Sequence, residues 1–319
     1  MRLDSGSPPS PTNIIRQLFD LLTQVPHTQE PLLNLRFELR GSFSDFFEAN
    51  SQSNEGVEFP PDGLPELPMV RSFELDRDTT IPGLSPRTPL YMASKMPRLR
   101  ELDVTTPDFE SIHERVELAP SLTGLPTSIH SFFLQYYQDY GQEGLLVPEN
   151  GEDILTRELR RFSQRQGLKQ FLFIGHAELS IFWPPDSAAS EPRHWPTLEA
   201  FQIEFDRPQH LTDLHATDSL DDAQDANDSD RSEVHKGIMN ASFRALAKCS
   251  AGMPKAKDNI VEFNDDWNTS LRYCTTKDQC VELKGKPGLE LDEETVHEWR
   301  KTAEVHDLNF QMRIEEVTE

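Results

Sequence analysis

Histidine, cysteine and carboxylate side chains are the groups in this chain that could carry chemistry, and their spacing matches no catalytic motif. His176 and Glu178 have the H-x-E spacing of zinc-dependent deaminases, but the P-C-x-x-C segment that completes such a zinc site is missing. Cys274 and Cys280 have no second ligand pair at zinc-site spacing. The chain has no Walker A, G-x-S-x-G, H-E-x-x-H or G-x-G-x-x-G motif. The sequence therefore predicts no catalytic residue, no cofactor and no metal site, and a protein that is not an enzyme.

The charge balance is strongly acidic and restricts the partners that the protein can bind. The 319 residues include 31 Lys and Arg against 55 Asp and Glu, which gives a formal net charge of -24. A field of this sign repels the phosphates of nucleic acids and the surfaces of anionic membranes. The composition therefore predicts no nucleic-acid partner and no membrane partner, and it is compatible with basic protein partners.

Cysteine usage and the lack of long apolar runs bear on the compartment. Cys249, Cys274 and Cys280 are an odd and sparse set, which is not typical of a disulfide framework. The N-terminal segment has no apolar stretch like that of a secretory signal, and no apolar run approaches the roughly 20 residues of a membrane-spanning helix. We therefore expect a cytoplasmic or nuclear protein.

A six-residue pattern with apolar residues at positions one, four and six recurs along the chain. One copy is the segment LRELDV at 99–104, and another is LKQFLF at 168–173. Three of the six intervals between copies are 29 or 30 residues long, and the others are longer, as insertions would make them. The copies begin at Leu32, Val70, Leu99, Ile129, Leu168, Leu198 and, more weakly, Ala256.

The alternation of positions four and six favours a β-strand, in which successive side chains point to opposite faces. Phe, Ile and Val suit a pleated surface, and a proline before most copies ends whatever element precedes it. Helical periodicity precedes several of these strands, with apolar residues on one face at 13–24, 88–96, 152–165 and 240–252. Each unit is thus predicted to contain one strand and one helix or loop.

A repeat of about 30 residues with this L-x-x-L-x-L pattern is typical of leucine-rich-repeat solenoids, whose stacked units share one core. We therefore predict the α/β class and a degenerate leucine-rich-repeat-like solenoid, with a curved parallel sheet and with helices and loops on its outer side. The Asn or Cys that usually continues such a repeat is not consistently present. The alternative is an ordinary α/β domain in which several strands share this spacing by chance.

Three segments of the chain are expected to differ in structure. Residues 1–12 are rich in Ser and Pro and are predicted to be disordered, whereas residues 13–264 are predicted to form the solenoid. Within the solenoid, residues 206–236 are acidic and nearly free of large apolar side chains, so a disordered insertion is expected there. Residues 265–319 are predicted to form a C-terminal cap of two strands, a helix with Asp292 as its N-cap, and a last strand.

Four segments carry a family resemblance, which extends over about residues 13–316: MPRLRELDV, WPTLEAFQIEF, FRALAKCSAGMPKAKDNIVEFN and DEETVHEWRKTAEVHDLNFQMRI. They resemble the fungal F-box proteins with degenerate C-terminal leucine-rich repeats. The resemblance implies a substrate-recognition part of a cullin-RING ubiquitin ligase, with the adaptor subunit of that ligase as a partner. The chain departs from this family in one respect, because residues 1–30 supply one predicted helix where an F-box has three.

The residues between the buried positions predict a binding surface. If positions one, four and six point into the core, the intervening side chains lie on the other face of the sheet. That face would have an apolar centre flanked by acidic strands, a composition common in interaction sites. We therefore predict a protein partner with basic and apolar side chains. The candidate residues are Glu74, Asp76, Glu101, Asp103, Phe133, Leu172, Ile174 and Glu204.

Two alternatives stay open for this surface and for the function. Residues 135–150 or the acidic insertion could cover Phe133, Leu172 and Ile174 and make them a second core. The protein could also be an α/β enzyme whose site is assembled from scattered residues, in which case a deep pocket with converging titratable groups is expected. Otherwise the sequence predicts a non-catalytic protein-binding module, with the substrate-recognition role that the family resemblance implies.

Overall fold

The structure is a computed structural model, and it divides the chain into strands and helices that alternate along most of its length. The described residues are 11–26, 30–31, 33–37, 63–75, 85–108, 112–138, 148–149, 152–184, 193–205, 228–263, 269–275, 280–285 and 290–316. The strands among them are β1 (Leu33–Phe37), β2 (Val70–Leu75), β3 (Glu101–Asp108), β4 (Ser131–Gln138), β5 (Pro148–Glu149), β6 (Glu152–Asp153), β7 (Gln170–Gly175), β8 (Ala200–Phe205), β9 (Asp258–Phe263), β10 (Thr269–Cys274), β11 (Cys280–Gly285) and β12 (Gln311–Glu316).

Ten of these strands form one open sheet in the order β1-β2-β3-β4-β7-β8-β9-β10-β11-β12. The first seven strands in this order run parallel to one another. β10 is antiparallel to β9 and to β11, and β12 is parallel to β11. β5 and β6 form a separate antiparallel pair. The protein therefore belongs to the predicted α/β class and has a mostly parallel sheet.

The six-residue pattern lies in the same register in all seven parallel strands. Each residue at position four is the register partner of position four on the next strand, and position six pairs in the same way. A shift of one residue would turn every side chain of a strand to the opposite face, so this alignment requires a consistent pattern. The residues at position four are Leu35, Phe73, Leu102, Phe132, Phe171, Phe201 and Asn259.

Six helices lie in the described part of the chain, and they pack on the sheet face that carries positions four and six. Phe162 contacts Phe132 of β4 with 4.5 Å between the ring centroids. Near the C-terminus, Trp299 contacts Tyr273 of β10 at 5.1 Å. The helices are α1 (Pro11–Leu22), α2 (Arg87–Ser94), α3 (Ile112–Thr123), α4 (Ile154–Ser163), α5 (Asp228–Ala251) and α6 (Glu293–Val305).

Aromatic side chains stack from strand to strand in the core beneath these helices. Phe132, Phe171 and Phe201 lie on adjacent strands, and their rings stack with 5.3 Å between neighbouring centroids. Phe205 and Phe263 stack in the same way at 5.3 Å. Each of these rings is at most 3 % exposed. Because burying a side chain of this size contributes about 1.5–3 kcal/mol, the stack is a major source of stability.

Two buried ion pairs connect the start of α4 to the surrounding elements. The guanidinium of Arg115 donates to both carboxylate oxygens of Asp153 at 2.9 and 2.7 Å, and to the carbonyl oxygen of His176 at 2.7 Å. Asp153 is also the N-cap of α4, since it accepts from the amide of Thr156 at 2.7 Å. Arg160 pairs with Glu152. These bonds tie α3, α4 and the segment after β7 together.

Two helix boundaries differ from the sequence prediction. α1 begins at Pro11, inside the segment that was expected to be disordered, because proline is well suited to the first helical position, where its missing N–H is not needed. α5 begins at Asp228, so residues 228–236 of the expected disordered insertion are helical. A low apolar content shows that a segment buries little surface, and it does not distinguish a polar helix from an unstructured segment. The remaining residues of that insertion, 206–227, and residues 1–10 lie outside the described residues.

Helix α3 is not among the predicted helices, and the reason is a proline. Pro120 lies inside this helix, where it removes one backbone hydrogen bond. The helix persists because Leu118, Ala119 and Leu122 are buried in the core. In the C-terminal region, β10, β11, α6 and β12 follow one another in the expected order, and Asp292 caps α6 by accepting from the amide of Thr295 at 2.7 Å.

Candidate functional site

The second face of the sheet, here called the open face, carries the residues at positions three, five and seven of the pattern. Along β8 and β9, partly exposed residues of this face alternate strictly with buried residues of the other face. The helix side chains that stack on the strands, such as Phe162 and Trp299, do so from the buried side. The open face therefore presents side chains from seven adjacent parallel strands.

Seven of the eight predicted surface residues lie on the open face, and the eighth, Asp76, lies outside the described residues. The register brings four of them into one row across the sheet. Glu74 on β2 pairs with Asp103 on β3, Asp103 with Phe133 on β4, and Phe133 with Leu172 on β7. Neighbouring members of this row are about 4.8 Å apart, the spacing of adjacent strands. The sequence pattern thus predicted a contiguous surface.

Phe133, Leu172 and Ile174 form what we call the apolar centre of the open face. Leu172 and Ile174 are two residues apart on β7 and so point to the same side. On β8, Gln202 and Glu204 are their register partners. All three members of the apolar centre are partly exposed among the described residues. Residues 139–150, most of the loop that was considered as a cover for them, lie almost entirely outside the described residues.

Carboxylates flank the apolar centre on the side of β2 and β3. Glu74 forms an ion pair with Arg36 at 3.4 Å, and Glu101 forms one with Arg71 at 3.4 Å. The side chains of both pairs are about 40–50 % exposed, and exposed pairs of this kind contribute only about 0–1 kcal/mol. Glu74 and Glu101 are therefore held only weakly by these arginines.

The sequence analysis did not predict a line of basic side chains at the N-terminal ends of four adjacent parallel strands. We call this line the cationic row. It comprises Arg71, Arg100, His130 and Lys169, the residues at position two of four consecutive copies. Backbone bonds hold the row together, since the amide of Arg100 donates to the carbonyl of Arg71 at 2.7 Å. The same bond recurs from His130 to Arg100 and from Lys169 to His130, each at 2.8 Å. The sequence signal for this row is the basic residue at position two of four consecutive copies, which apolar periodicity does not detect.

The cationic row and the adjoining residues of the open face line one groove of about 500 Å³. Position three supplies polar side chains next to the row, and these bond across the strands. Ser131 donates to the side-chain oxygen of Gln170 at 3.1 Å, and Ser72 donates to that of Asn34 at 2.9 Å. The groove is thus divided, with cations along its edge and with carboxylates and the ring of Phe133 farther along the strands.

The row of position-two residues continues beyond Lys169 with one change of sign. Glu199 occupies that position before β8, and it forms an ion pair with Lys257, which occupies it before β9. A hydrogen bond from Lys257 holds the pKa of Glu199 below its ordinary value. Slight desolvation acts in the opposite direction, and the positive charges of Lys257, Lys169 and Lys255 lower the pKa further. The lysines around Glu199 thus favour its charged form.

Other reactive groups in the described residues lie away from this groove or are buried. Complete burial raises the pKa of the Cys249 thiol well above its ordinary value, so the thiolate that reacts as a nucleophile is suppressed. His176, which the sequence places in an H-x-E pair, is buried beside the ion pairs of α4. Within the described ranges, no group of three or more His, Cys, Asp or Glu side chains is placed to hold a metal ion. Nor does any described helix have the length and apolar character needed to cross a membrane.

Comparison with known proteins adds no relative from which a function could be carried over. No protein-family model, no curated protein and no solved structure matches this chain. The groove and the open face are therefore the features on which a functional conclusion rests.

Proposed function

We propose that the protein is a non-catalytic protein-binding module that uses the open face of its sheet to hold a partner segment with basic and apolar side chains. The observation that carries this proposal is the apolar centre. Phe133, Leu172 and Ile174 lie side by side and partly exposed on the face opposite the helices. An apolar patch with a polar rim is a common property of protein interaction sites.

A leucine-rich-repeat-like solenoid is the architecture that we propose for the parallel part. In support of it, all seven parallel strands follow one another across the sheet in chain order. The recurring residues at positions four and six also stay in register across all seven strands, as stacked repeats require. β10, β11, α6 and β12 would then be the cap that ends the stack.

A binding role is favoured over catalysis by the bonding within the groove. A serine nucleophile needs a base within hydrogen-bond reach, but Ser131 and Ser72 donate to the amide side chains of Gln170 and Asn34. The titratable side chains of the groove lie in rows along an open surface. An assembled catalytic site would instead bring an acid, a base and a nucleophile to one point.

The partner's chemistry follows from the flanks of the apolar centre. Glu74 and Asp103 precede it in the row across the sheet, and Glu204 follows it on β8. An apolar side chain set on Phe133 and Leu172 would have basic neighbours within reach of these carboxylates. The family resemblance of the sequence suggests that such a partner is a substrate delivered to a cullin-RING ubiquitin ligase, in the cytoplasm or nucleus.

Comparative affinity capture tests this proposal. The tagged protein is compared with the double variant Leu172→Asp/Ile174→Asp, which places two carboxylates in the apolar centre. We expect the variant to lose the proteins that the unaltered chain retains, because a buried unpaired carboxylate at an interface is strongly unfavourable. Recovery of cullin-RING adaptor subunits together with those proteins would support the ligase role.

The control places the same change elsewhere on the surface. Leu21 is 60 % exposed on α1, so Leu21→Asp introduces a carboxylate without touching the open face. The control should capture the same proteins as the unaltered chain. If the double variant and the control retain the same proteins, the open face is not the binding surface and the proposal is wrong.

A further inference from the structure

The cationic row is the feature of the molecule that the proposed function leaves unexplained. A partner with basic and apolar side chains fits the carboxylates and the apolar centre, but basic side chains would be repelled by Arg71, Arg100 and Lys169. Together with His130, these residues lie at the starts of four adjacent strands and line the groove that also contains Phe133. A partner that contacts the cationic row must therefore present side chains other than basic ones there.

The cationic row brings like charges close together. Basic side chains at equivalent positions of adjacent strands repel one another, because their strands are only about 4.8 Å apart. Arg71 and Arg100 are partly compensated, by Glu101 at 3.4 Å and by Glu30 at 3.0 Å. Lys169 lies beside Glu199, and its positive charge lowers the pKa of that carboxyl, so Lys169 also has a carboxylate within electrostatic reach. Positions at which a sequence departs from the locally favourable choice are frequently functional, and a run of basic residues on adjacent strands is such a departure.

We propose that the cationic row binds an acidic peptide segment of the protein partner, one with closely spaced Asp or Glu side chains that crosses β2, β3, β4 and β7. This inference rests on the proposed function, since it identifies a second feature of the same partner. Arg and Lys bind carboxylates by charge-assisted hydrogen bonds, and Ser131 and Gln170 beside the row add neutral polar groups. The row from Arg71 to Lys169 spans three strand spacings, or about 14 Å, which roughly four or five extended residues would cover.

A peptide fits this row better than a nucleic acid or a membrane surface does. The row is one residue wide and is bordered along the strands by Glu74, Glu101 and Asp103. A duplex or a lipid surface is broad, so its phosphates would meet these carboxylates as well as the cations. A single chain can follow the row and avoid them. The formal net charge of -24 further disfavours broad polyanions.

Fluorescence anisotropy with a labelled dodecaglutamate peptide tests the inference on the full chain at low ionic strength. We expect saturable binding to the unaltered protein, and weaker binding as salt is added. The double variant Arg100→Glu/Lys169→Glu reverses two charges of the row, and its dissociation constant should rise by about tenfold or more.

The matched control reverses two exposed charges on the helical side of the molecule. Lys248→Glu/Arg161→Glu makes the same change in net charge on α5 and α4, and its dissociation constant should stay within about twofold of the unaltered value. Equal urea-unfolding midpoints for the two double variants would show that folding is not the cause of any difference. A labelled dodecaserine peptide, which is neutral, should not bind.

The inference is overturned if the unaltered chain fails to bind dodecaglutamate saturably, or if the row variant and the control bind it equally. It is also overturned if a single-stranded oligonucleotide of the same length binds the row more tightly than the peptide does. The apolar centre takes no part in this measurement. A negative peptide result therefore leaves the capture experiment on Leu172 and Ile174 standing, and a failure of that experiment leaves the peptide result standing.

Discussion

The two faces of the sheet are built from the same strands, yet they differ in what varies along them. On the buried face, positions four and six are apolar in nearly every copy, and Phe132, Phe171 and Phe201 stack at 5.3 Å. On the open face, position five changes from acidic Asp103 on β3 to apolar Leu172 on β7. The buried face carries apolar side chains at the same positions of nearly every strand, whereas the side-chain chemistry of the open face changes from strand to strand.

If the open face binds a partner as proposed, stability and recognition depend on opposite faces of the same strands. Each strand buries its apolar side chains against those of its neighbours, so substitutions on the buried face are constrained by packing. Side chains on the open face are not constrained by packing in this way, so their chemistry can vary to suit a partner. Substitutions on the two faces should therefore affect different measured quantities.

The largest expected effect comes from neighbouring residues on β7 that point to opposite faces. Phe171→Ala removes a ring that stacks on both sides, and it should lower the free energy of unfolding by about 3–5 kcal/mol. Leu172→Ala, one residue farther on the open face, should lower it by less than about 1 kcal/mol. Urea denaturation followed by circular dichroism measures both. Equal losses for the two variants would mean that the open face is packed as tightly as the core.

A smaller effect is expected from two Arg–Asp pairs of similar geometry but different burial. Asp153→Asn removes the carboxylate that pairs with the buried guanidinium of Arg115, and should lower the free energy of unfolding by about 3 kcal/mol. Asp258 accepts two bonds from Arg272 at 2.8 and 2.6 Å, but on the open side and partly exposed, so Asp258→Asn should cost less than about 1 kcal/mol. The same denaturation measurement compares the two variants.

The contribution of Asp153 to the free energy of unfolding should also depend on pH. Burial by itself raises the pKa of this carboxyl, but the hydrogen bond and charge of Arg115 and the bonds from Thr156 outweigh it, so the pKa lies below its ordinary value. A carboxyl with a lowered pKa in the folded state stabilises that state fully above its ordinary pKa. The contribution is lost as the pH falls through the lower, folded-state pKa. The difference in stability between the unaltered chain and Asp153→Asn should therefore shrink in acid, and a difference that grows in acid contradicts this account.

Much of the fold could be predicted because the repeat combines two local signals. A period of two identifies the strand and its buried face, and the proline before most copies marks where the strand begins. The N-cap Asp292 similarly identified the start of α6. The signals failed where composition was ambiguous, at Pro120 in α3 and at the polar residues 228–236 that begin α5.

The candidate site could be predicted in part for the same reason. Phe133 and Leu172 follow from the pattern, since they alternate with buried residues. The cationic row required a comparison of position two across copies, which apolar periodicity does not make. The pair of Arg115 and Asp153 joins residues 38 apart in sequence, and no local pattern relates them.

Photo-crosslinking from the open face tests most directly whether this face is the one that binds a partner. A benzophenone-bearing amino acid is placed at position 172 in place of Leu172, and in a second protein at position 161 in place of Arg161, which is exposed on α4. After irradiation in cells, we expect discrete covalent adducts of higher mass from position 172 and none from position 161. The same adducts from both positions, or adducts from position 161 alone, would contradict the assignment of recognition to the open face.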